Sequence, residues 1–309
     1  MSVRLPRVVD EVVSRPTWPG TLPRPMEPRN LGVDYDTAWT RKPWARAVRR
    51  LLVDNVTRPF VALVAKPQIF GREHLDPLVG PVIFAANHTS HLDTSIVVAC
   101  LPERFRRRTV VAAAADYFFD RPWKAAMWSL ALGTIPMERT KVNRKSADLA
   151  ASLLEQRWNL VIFPEGGRSQ DGWGREFRGG AAYLAKRCDV AVVPVHLRGV
   201  RPVFPKGASK LRPGKVEVRF GDPLWPGEVR APSGKEEDAR RFAARIEESV
   251  ALLADEAETD WWSARRRAAA GETPDFRGPD ASPWRRAWAL PASARRTRSP
   301  RARSSAKPW

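Results

Sequence analysis

Residues 81–101 read PVIFAANHTSHLDTSIVVACL. The small and apolar residues 81–86 suit a buried strand, and residues 90–101 suit a helix. The polar residues between them predict a strand-to-helix turn at the carboxyl end of a strand, where α/β sheets place their ligand sites. This one stretch therefore predicts both the fold class and the position of a site.

The same alternation of strand and helix extends along the chain from this stretch. Further strands are predicted at residues 109–114, 160–163, 190–195 and 216–220, with a short one within 133–139. Helices are predicted at residues 121–132, 144–158, 180–188 and 236–254. The pattern predicts an α/β fold, with one domain at residues 68–257 whose mostly parallel or mixed sheet is flanked by helices.

His88 and Asp93 are the first candidates for chemistry. Ser90, followed three residues later by an acid, resembles a capping box in which Ser90 caps the helix. His88 then lies in the turn, and we expect Asp93 to reach back to one of its ring nitrogens and to stabilise the imidazolium, as in a general base. The alternative is that Asp93 only favours the helix N-terminus and that His88 bonds to backbone.

Residues 160–169 read LVIFPEGGRS, a strand that ends in a glycine turn. Gly166 and Gly167 permit positive φ and a close approach of backbone to a ligand, while Arg168 offers a forked donor to a phosphate. Together with Glu165 they predict an anion-binding loop. The alternative is an ordinary glycine turn with Glu165 and Arg168 in solvent.

Four short blocks occur in order along the chain. They are Asn-His-x-Ser-x-x-Asp at 87–93, Gly-x-Ile-Pro-x-x-Arg at 133–139, Phe-Pro-Glu-Gly-x-Arg-Ser at 163–169, and Val-Pro-Val at 193–195. Their order and spacing resemble the glycerolipid acyltransferases, best known from 1-acylglycerol-3-phosphate acyltransferase. The resemblance covers about residues 68–255. One departure is Gly167, where many members have Thr.

The resemblance implies transfer of an acyl group from acyl-CoA or acyl-carrier protein to 1-acylglycerol-3-phosphate, which gives phosphatidic acid. It implies that His88 is the general base, that Asp93 orients it, and that no metal or other cofactor takes part. The acceptor's phosphate and glycerol part would be bound by Arg139, Glu165, Gly166, Gly167 and Arg168. Two alternatives stay open: the same chemistry on another lysolipid or glycolipid, and a non-catalytic binder of anionic lipid or nucleic acid.

The N-terminal region is predicted to have two parts. Residues 1–42 are rich in Pro and Arg and suit a flexible arm, whereas residues 43–67 suit an amphipathic helix that Pro59 kinks or splits. Apolar residues recur every four positions from Trp44 to Val64, with arginines between them. That composition is typical of a helix in a bilayer interface; the alternative is a helix packed on the domain with its arginines in water.

Positive charge is concentrated at the two ends of the chain. The 309 residues include 53 Lys and Arg against 34 Asp and Glu, a net of +19, of which +9 lies in residues 261–309. The tail, residues 258–309, is rich in Trp and Arg and is predicted to be disordered and to bind anionic headgroups. No zinc-ligand spacing or RNA-binding strand accompanies the charge, so no specific nucleic acid is expected as a partner.

Composition also bears on the compartment. Two cysteines are too few for a disulfide framework, and the first residues lack the pattern of a signal peptide. The longest charge-free apolar stretch, residues 125–137, is shorter than the roughly 20 residues of a spanning helix. We therefore expect a peripheral or monotopic protein at the cytoplasmic face of the cell membrane.

Overall fold

A mixed sheet of seven strands forms the centre of the computed structural model, which describes residues 32, 34–138, 144–169, 171–205, 210–228, 235–281 and 283–290. The strands are β1 (Pro67–Phe70), β2 (Val82–Ala86), β3 (Thr109–Ala114), β4 (Thr134–Met137), β5 (Asn159–Ile162), β6 (Ala191–Arg198) and β7 (Val216–Phe220). Their order is β1-β7-β6-β2-β5-β3-β4. All neighbours are parallel except β6 and β7, which are antiparallel.

Helices cover both faces of this sheet. They are α1 (Pro43–Leu52), α2 (Arg58–Ala65), α3 (Asp93–Cys100), α4 (Glu103–Arg106), α5 (Ala115–Phe118), α6 (Pro122–Leu132), α7 (Arg144–Glu155), α8 (Gly180–Cys188), α9 (Val200–Val203), α10 (Lys235–Glu258), α11 (Trp261–Ala270) and α12 (Pro283–Ala289). One core lies between the sheet and α2 and α3, and it contains Phe84. The other lies under α7, α8 and α10, and it contains Ile83. Neighbouring residues of β2 thus point to opposite faces, as the pleat requires.

The predicted α/β class is confirmed, and the predicted strands lie within a residue or two of the observed ones except where β6 continues to Arg198. The strand β1 was not predicted. It is a four-residue edge strand whose partner is β7, with Pro67 opposite Val216. An edge strand of this length carries little periodicity, so its pairing depends on a partner about 150 residues away.

The amphipathic helix predicted for residues 43–67 forms as α1 and α2, joined by a π-helical turn at Val53–Thr57. Pro59 is the second residue of α2 and comes after the π turn, within helical backbone that continues from α1. The wider π turn before it accommodates the proline without ending the rod. In place of the kink or split predicted at Pro59, the structure has one π-helical turn between two α-helices.

The apolar stripe predicted for residues 43–67 does not coincide with the buried side of α1 and α2. The buried side carries small or β-branched residues and one arginine, namely Ala45, Arg49, Val53, Val61 and Val64. Large apolar side chains face solvent, namely Trp44, Val48, Leu51, Val56, Phe60 and Leu63. The neighbouring helix α6 also exposes Trp123 and Met127. The helix thus packs on the domain and still presents an apolar face.

Arg49 is the charged residue on the buried side of α1. Its guanidinium donates to the carbonyl oxygens of Thr40 (2.9 Å), Ser129 (3.0 Å) and Leu130 (2.9 Å). Ser129 and Leu130 lie in the last turn of α6, where the Ser129 carbonyl also accepts from the N–H of Gly133 (3.1 Å). Burial lowers the pKa of Arg49 to about 10. Three acceptors offset the cost of burying this cation and tie α1 to α6.

Two terminal predictions need correction. The predicted flexible arm, residues 1–42, contains a short 3₁₀ helix at Ala38–Arg41 with Thr40 buried, while residues 1–31 lie outside the described part. The predicted disorder of the tail is wrong for residues 261–281 and 283–290, which form α11, α12 and an ordered connection. Ala264 and Leu290 are buried there, and Phe276 packs against Phe177. Residues 291–309 lie outside the described part.

Candidate active site

The site lies where β2 and β5 end. These strands are parallel neighbours, so the turns that follow them meet at one edge of the sheet. The turn after β2 carries His88 and Asp93, and the turn after β5 carries Glu165 and Arg168. The two predicted blocks, about 75 residues apart in sequence, are thus brought together by the sheet.

Asp93 is wholly buried at the first residue of α3. One of its carboxylate oxygens, Oδ2, receives three bonds: from the Nδ1 of His88 (2.9 Å), the N–H of Thr89 (2.6 Å) and the N–H of Ser90 (2.8 Å). Two backbone donors from the same turn prevent this carboxylate from rotating away from the imidazole. The predicted contact between His88 and Asp93 is present in the structure.

Ser90 does not cap the helix as predicted. The N-cap position is Leu92, and no side chain caps it. The hydroxyl of Ser90 accepts from the N–H of Leu92 (3.2 Å) and donates to the carbonyl of Phe204 (2.7 Å). Only the reverse half of the capping box forms, in which Asp93 accepts from the Ser90 N–H. The Ser90 side chain instead ties the turn to the chain that follows α9.

The imidazole of His88 is held on two sides and remains partly accessible. Its ring stacks on Phe163, with 4.2 Å between centroids and 24° between planes. Nδ1 contacts Asp93, and 18% of the side chain is exposed. Because Nδ1 is engaged, Nε2 is the nitrogen that remains to exchange a proton with a substrate.

Glu165 supports the backbone of His88. Its Oε1 accepts from the N–H of His88 (2.8 Å), and the carbonyl of His88 accepts from the N–H of Ser169 (2.9 Å). Burial raises the pKa of Glu165 to about 8; the His88 N–H opposes this rise and the nearby Asp93 charge adds to it. A buried neutral acid thus lies directly behind the catalytic candidates. Its carboxyl points at the turn, a contact that no sequence pattern indicated.

The glycine turn fits its prediction in part. Gly166 has a φ of +67°, and an added Cβ would lie 2.9 Å from the Nε of Arg178, so both conformation and space favour glycine. Gly167 does not have positive φ. Arg168 lies over the ring of Tyr117 at 5.7 Å. Arg139, the fifth predicted ligand, lies outside the described residues.

Asn87 is a structural residue that was not assigned a role from the sequence. Its side-chain oxygen accepts from the N–H of Leu197 (2.7 Å), and its amide donates to the carbonyl of the same residue (3.0 Å). This pair of bonds joins the end of β2 to β6, which is the strand of the Val-Pro-Val block. The position of Asn87 directly before His88 was the feature of the sequence that could have indicated this role. Within the described ranges, no group of three or more metal-ligating side chains is assembled.

Comparisons with known proteins agree with this architecture. Residues 66–198 match the family model described as Acyltransferase. The chain is 33% identical over 175 residues to a 1-acyl-sn-glycerol-3-phosphate acyltransferase of Chlamydomonas reinhardtii, covering 55% of this chain and 49% of that protein. It is 27% identical over 194 residues to the human 1-acyl-sn-glycerol-3-phosphate acyltransferase alpha, covering 62% and 65%. The chain thus spans about half to two thirds of the length of these relatives.

A solved structure shares the fold. The crystal structure of the 1-acyl-sn-glycerophosphate (LPA) acyltransferase from Thermotoga maritima superposes with a TM-score of 0.52 at 21% identity. The match covers 76% of this chain and 84% of that one. At this identity the likeness speaks for the fold alone.

Proposed function

Residues 66–198 belong to the acyltransferase family, and on that premise we propose that this chain transfers a fatty acyl group from acyl-CoA or acyl-carrier protein to 1-acylglycerol-3-phosphate. The product is phosphatidic acid. The observation that carries the proposal is the contact of His88 Nδ1 with the buried carboxylate of Asp93, which is itself held by two backbone N–H groups. Relatives named for this activity support the choice of acceptor.

The reaction needs one base that also serves as an acid. The free hydroxyl oxygen of the acceptor attacks the thioester carbonyl carbon while His88 Nε2 takes the hydroxyl proton. The tetrahedral intermediate collapses, its carbon–sulfur bond breaks, and the departing thiolate takes that proton back from the imidazolium. Ester and free thiol are the products, and His88 returns to its neutral form. Such proton transfer is worth about 10²- to 10⁴-fold in rate.

Asp93 and Glu165 have separate parts in this scheme. Asp93 stabilises the imidazolium that forms during attack and holds Nε2 toward the substrate. Glu165 accepts a hydrogen bond from the backbone N–H of His88, and this bond fixes the backbone from which the imidazole projects. No covalent acyl-enzyme is needed, because the acceptor hydroxyl attacks the thioester directly; the hydroxyl of Ser90 is bonded to Leu92 and Phe204.

Arg168 and Arg139 are proposed to bind the phosphate of the acceptor, with the backbone of Gly166 and Gly167 beside it. A guanidinium suits this task because its planar fork matches phosphate oxygens. The aromatic ring of Tyr117 supports Arg168 from one side. This arrangement selects an acceptor with an anionic headgroup.

The decisive experiment measures acyl transfer from acyl-CoA and acyl-carrier protein to a panel of acceptors, with products identified by mass spectrometry. We expect phosphatidic acid from 1-acylglycerol-3-phosphate, and loss of at least about 10³-fold in kcat for His88→Ala with unchanged thermal unfolding. Undiminished turnover in that variant would refute the mechanism. Absence of phosphatidic acid with every donor would refute the proposed acceptor.

Another lysolipid or a glycolipid is the second candidate acceptor. Gly167 favours it, because this position of the third block carries Thr in many members of the family. Without a side chain there, the loop offers one hydroxyl fewer and more space beside Arg168. Faster turnover of a different acceptor in the same panel would establish this alternative without changing the roles of His88 and Asp93.

We further propose that the protein binds the cytoplasmic face of the cell membrane as a peripheral or monotopic enzyme. Leu51 and Leu63 represent the exposed apolar face of α1 and α2, next to the basic residues Arg50 and Arg58. Apolar insertion and attraction to anionic lipid together favour such binding. No helix in the described part of the chain is long and apolar enough to cross a bilayer.

Vesicle sedimentation tests this surface. Leu51→Glu and Leu63→Glu are expected to weaken binding to anionic vesicles at least about tenfold, since each removes a buried apolar contact and adds a repelled charge. Val79→Glu is the matched control, because Val79 is even more exposed than Leu51 and Leu63 but lies outside the helix. Removal of residues 291–309, which contain six basic and no acidic residues, tests the predicted role of the tail. If all four variants bind anionic vesicles as strongly as the wild-type protein does, the proposal is contradicted.

A further inference from the structure

A loop and the C-terminal segment meet beside the active-site turn. The loop, residues 169–177, follows Arg168 and contains neither helix nor strand in its described residues. The segment, residues 272–281 and 283–290, is here called the C-terminal strap; it follows α11 and includes α12. Because the loop has little regular structure of its own, the groups that pack on it determine its position.

Arg286 in the strap makes the central contact. Its Nε donates to the Oδ2 of Asp171 in the loop at 2.6 Å. The two remaining nitrogens donate within the strap, to the carbonyls of Pro279 (2.9 Å) and Arg277 (2.9 Å). One guanidinium therefore connects separate parts of the strap to one another and also bonds the strap to the loop. Burial alone would raise the pKa of Asp171, but the bonds from Arg286 and the Trp173 N–H lower it.

Two aromatic contacts reinforce this attachment. The indole N–H of Trp173 donates to the carbonyl of Arg286 (2.7 Å), and the indole face lies against Gly278, where no side chain would fit. The ring of Phe276 lies against Gly174 in the same way, and the carbonyl of Phe276 accepts from the Gly174 N–H (2.9 Å). Each glycine leaves space for an aromatic ring from the opposite segment.

Asp171, the loop residue that Arg286 contacts, is also connected by hydrogen bonds to the turn that carries His88. The Oδ1 of Asp171 accepts from the hydroxyl of Ser169 (3.2 Å), and that hydroxyl accepts from the N–H of Gly172 (2.9 Å). Ser169 is buried, and its own N–H donates to the carbonyl of His88 (2.9 Å). Arg168 is the residue next to Ser169. A continuous set of bonds thus runs from Arg286 through Asp171 and Ser169 to the backbone of His88.

We propose that the C-terminal strap positions the loop that follows Arg168, and through it Arg168 itself, with Asp171, Trp173 and Arg286 as positioning residues for acceptor binding. The bonds of Asp93 and Glu165 hold His88 without help from the strap. Arg168 directly precedes Ser169 in the chain, so a displacement of Ser169 and Asp171 moves the backbone of Arg168 as well. Loss of the strap contact is therefore expected to weaken acceptor binding more than it slows the chemical step. This inference rests on the proposed function for its kinetic part.

The test compares Arg286→Gln with Arg241→Gln in the full chain. Both remove an arginine bonded to a carboxylate, but Arg241 pairs with Glu237 within α10 and has no bond to the loop. For Arg286→Gln we expect amide hydrogen exchange in residues 164–177 to accelerate about tenfold, the size that one charge-assisted bond supports. The acceptor KM should rise about tenfold while kcat falls less than about threefold. Arg241→Gln should change none of these by more than about twofold.

Asp171→Asn examines the same bond from the loop side. Because the two residues act through one contact, the double variant Asp171→Asn/Arg286→Gln should resemble either single variant, with effects that do not add. Arg286→Lys should give an intermediate KM, since an ammonium keeps the charge but cannot reach three acceptors. If Arg286→Gln does not unfold cooperatively, Asp171→Asn provides the same comparison.

The outcomes separate this proposal from the proposed function. Unchanged exchange in residues 164–177, additive effects in the double variant, or a fall in kcat without a rise in KM would each overturn the strap's role. If the wild-type protein acylates no lysophosphatidic acid, the proposed acceptor fails, and hydrogen exchange still decides whether the strap holds the loop.

Discussion

Two histidine–aspartate pairs of nearly equal geometry occur in this molecule. His88 Nδ1 lies 2.9 Å from Asp93, and His74 Nδ1 lies 2.7 Å from Asp222. The carboxylate of the first pair is wholly buried and bonded to two backbone N–H groups. The carboxylate of the second is 55% exposed and is shared with a guanidinium, that of Arg265, at 3.1 Å.

The difference indicates why the first pair suits the proposed catalytic role better than the second, although the two contacts are of similar length. A buried carboxylate that is paired with an imidazole, as Asp93 is among the described residues, interacts strongly with the charge that forms on that ring. An exposed carboxylate already paired with Arg265 adds little, because water and salt screen it and its charge is balanced. The environment of the acid, rather than its distance from the histidine, therefore distinguishes the two sites.

The largest effect is expected from a substitution that disrupts the His88–Asp93 pair and leaves the His74–Asp222 pair intact. Asp93→Asn should lower kcat about 10³-fold or more, because a neutral amide cannot stabilise the imidazolium even when its oxygen replaces Oδ2 as the acceptor for His88, Thr89 and Ser90. Asp222→Asn should leave kcat within about twofold. Both are measured with saturating acceptor and donor. Similar losses in the two variants would mean that burial does not separate these pairs.

An intermediate effect concerns the acid behind the first pair. Between about pH 4.5 and about pH 8, folded protein keeps a proton on Glu165 that unfolded chain has lost, so this group's contribution to stability falls as pH rises through that window. Glu165→Gln carries no such proton. Its Tm relative to wild type should therefore increase from about pH 5 to about pH 9.

Glu176→Gln is the control for that measurement, because Glu176 is an exposed acid of the neighbouring loop. Its Tm difference from wild type should stay flat over the same pH range. A flat difference for Glu165→Gln as well would show that burial does not keep this carboxyl protonated.

The smallest expected effect belongs to the second pair. Asp222→Ala should reduce the free energy of unfolding by no more than about 1 kcal/mol, the usual range of an exposed ion pair. The loss should shrink when salt is raised from about 0.05 M to about 1 M. Denaturant titration at both salt concentrations measures it. A loss of several kcal/mol that ignores salt would place His74 and Asp222 in the same class as the first pair.

Local patterns accounted for the features that lie within one element or one turn. The strands around β2 were predicted because each is a short apolar run, and the His88–Asp93 contact was predicted because only five residues separate the two. The family resemblance of the four blocks, now supported by the match over residues 66–198, used the same local information. In these cases a short span of chain holds all the interacting groups.

Patterns along the chain were misleading where the partner lies far away. The arginines of residues 43–67 were expected in the bilayer interface or, as the alternative, in water, but Arg49 is buried and donates to the carbonyls of Ser129 and Leu130, about 80 residues distant. The tail was expected to be disordered because it has few aliphatic residues, yet Trp173 and Phe177 provide the aromatic surface that orders it. Composition describes what a segment can bury by itself and not what another segment offers to it.

By itself the sequence determined the α/β alternation, the order of the four blocks and the turn that pairs His88 with Asp93. Only the tertiary structure decided that Glu165 lies behind His88, that Asp222 is shared with Arg265, and that the C-terminal strap holds the loop after Arg168. The physical reason is that period and spacing encode contacts within an element or a turn. Burial and charge balance depend on groups that meet only when the sheet brings distant segments together.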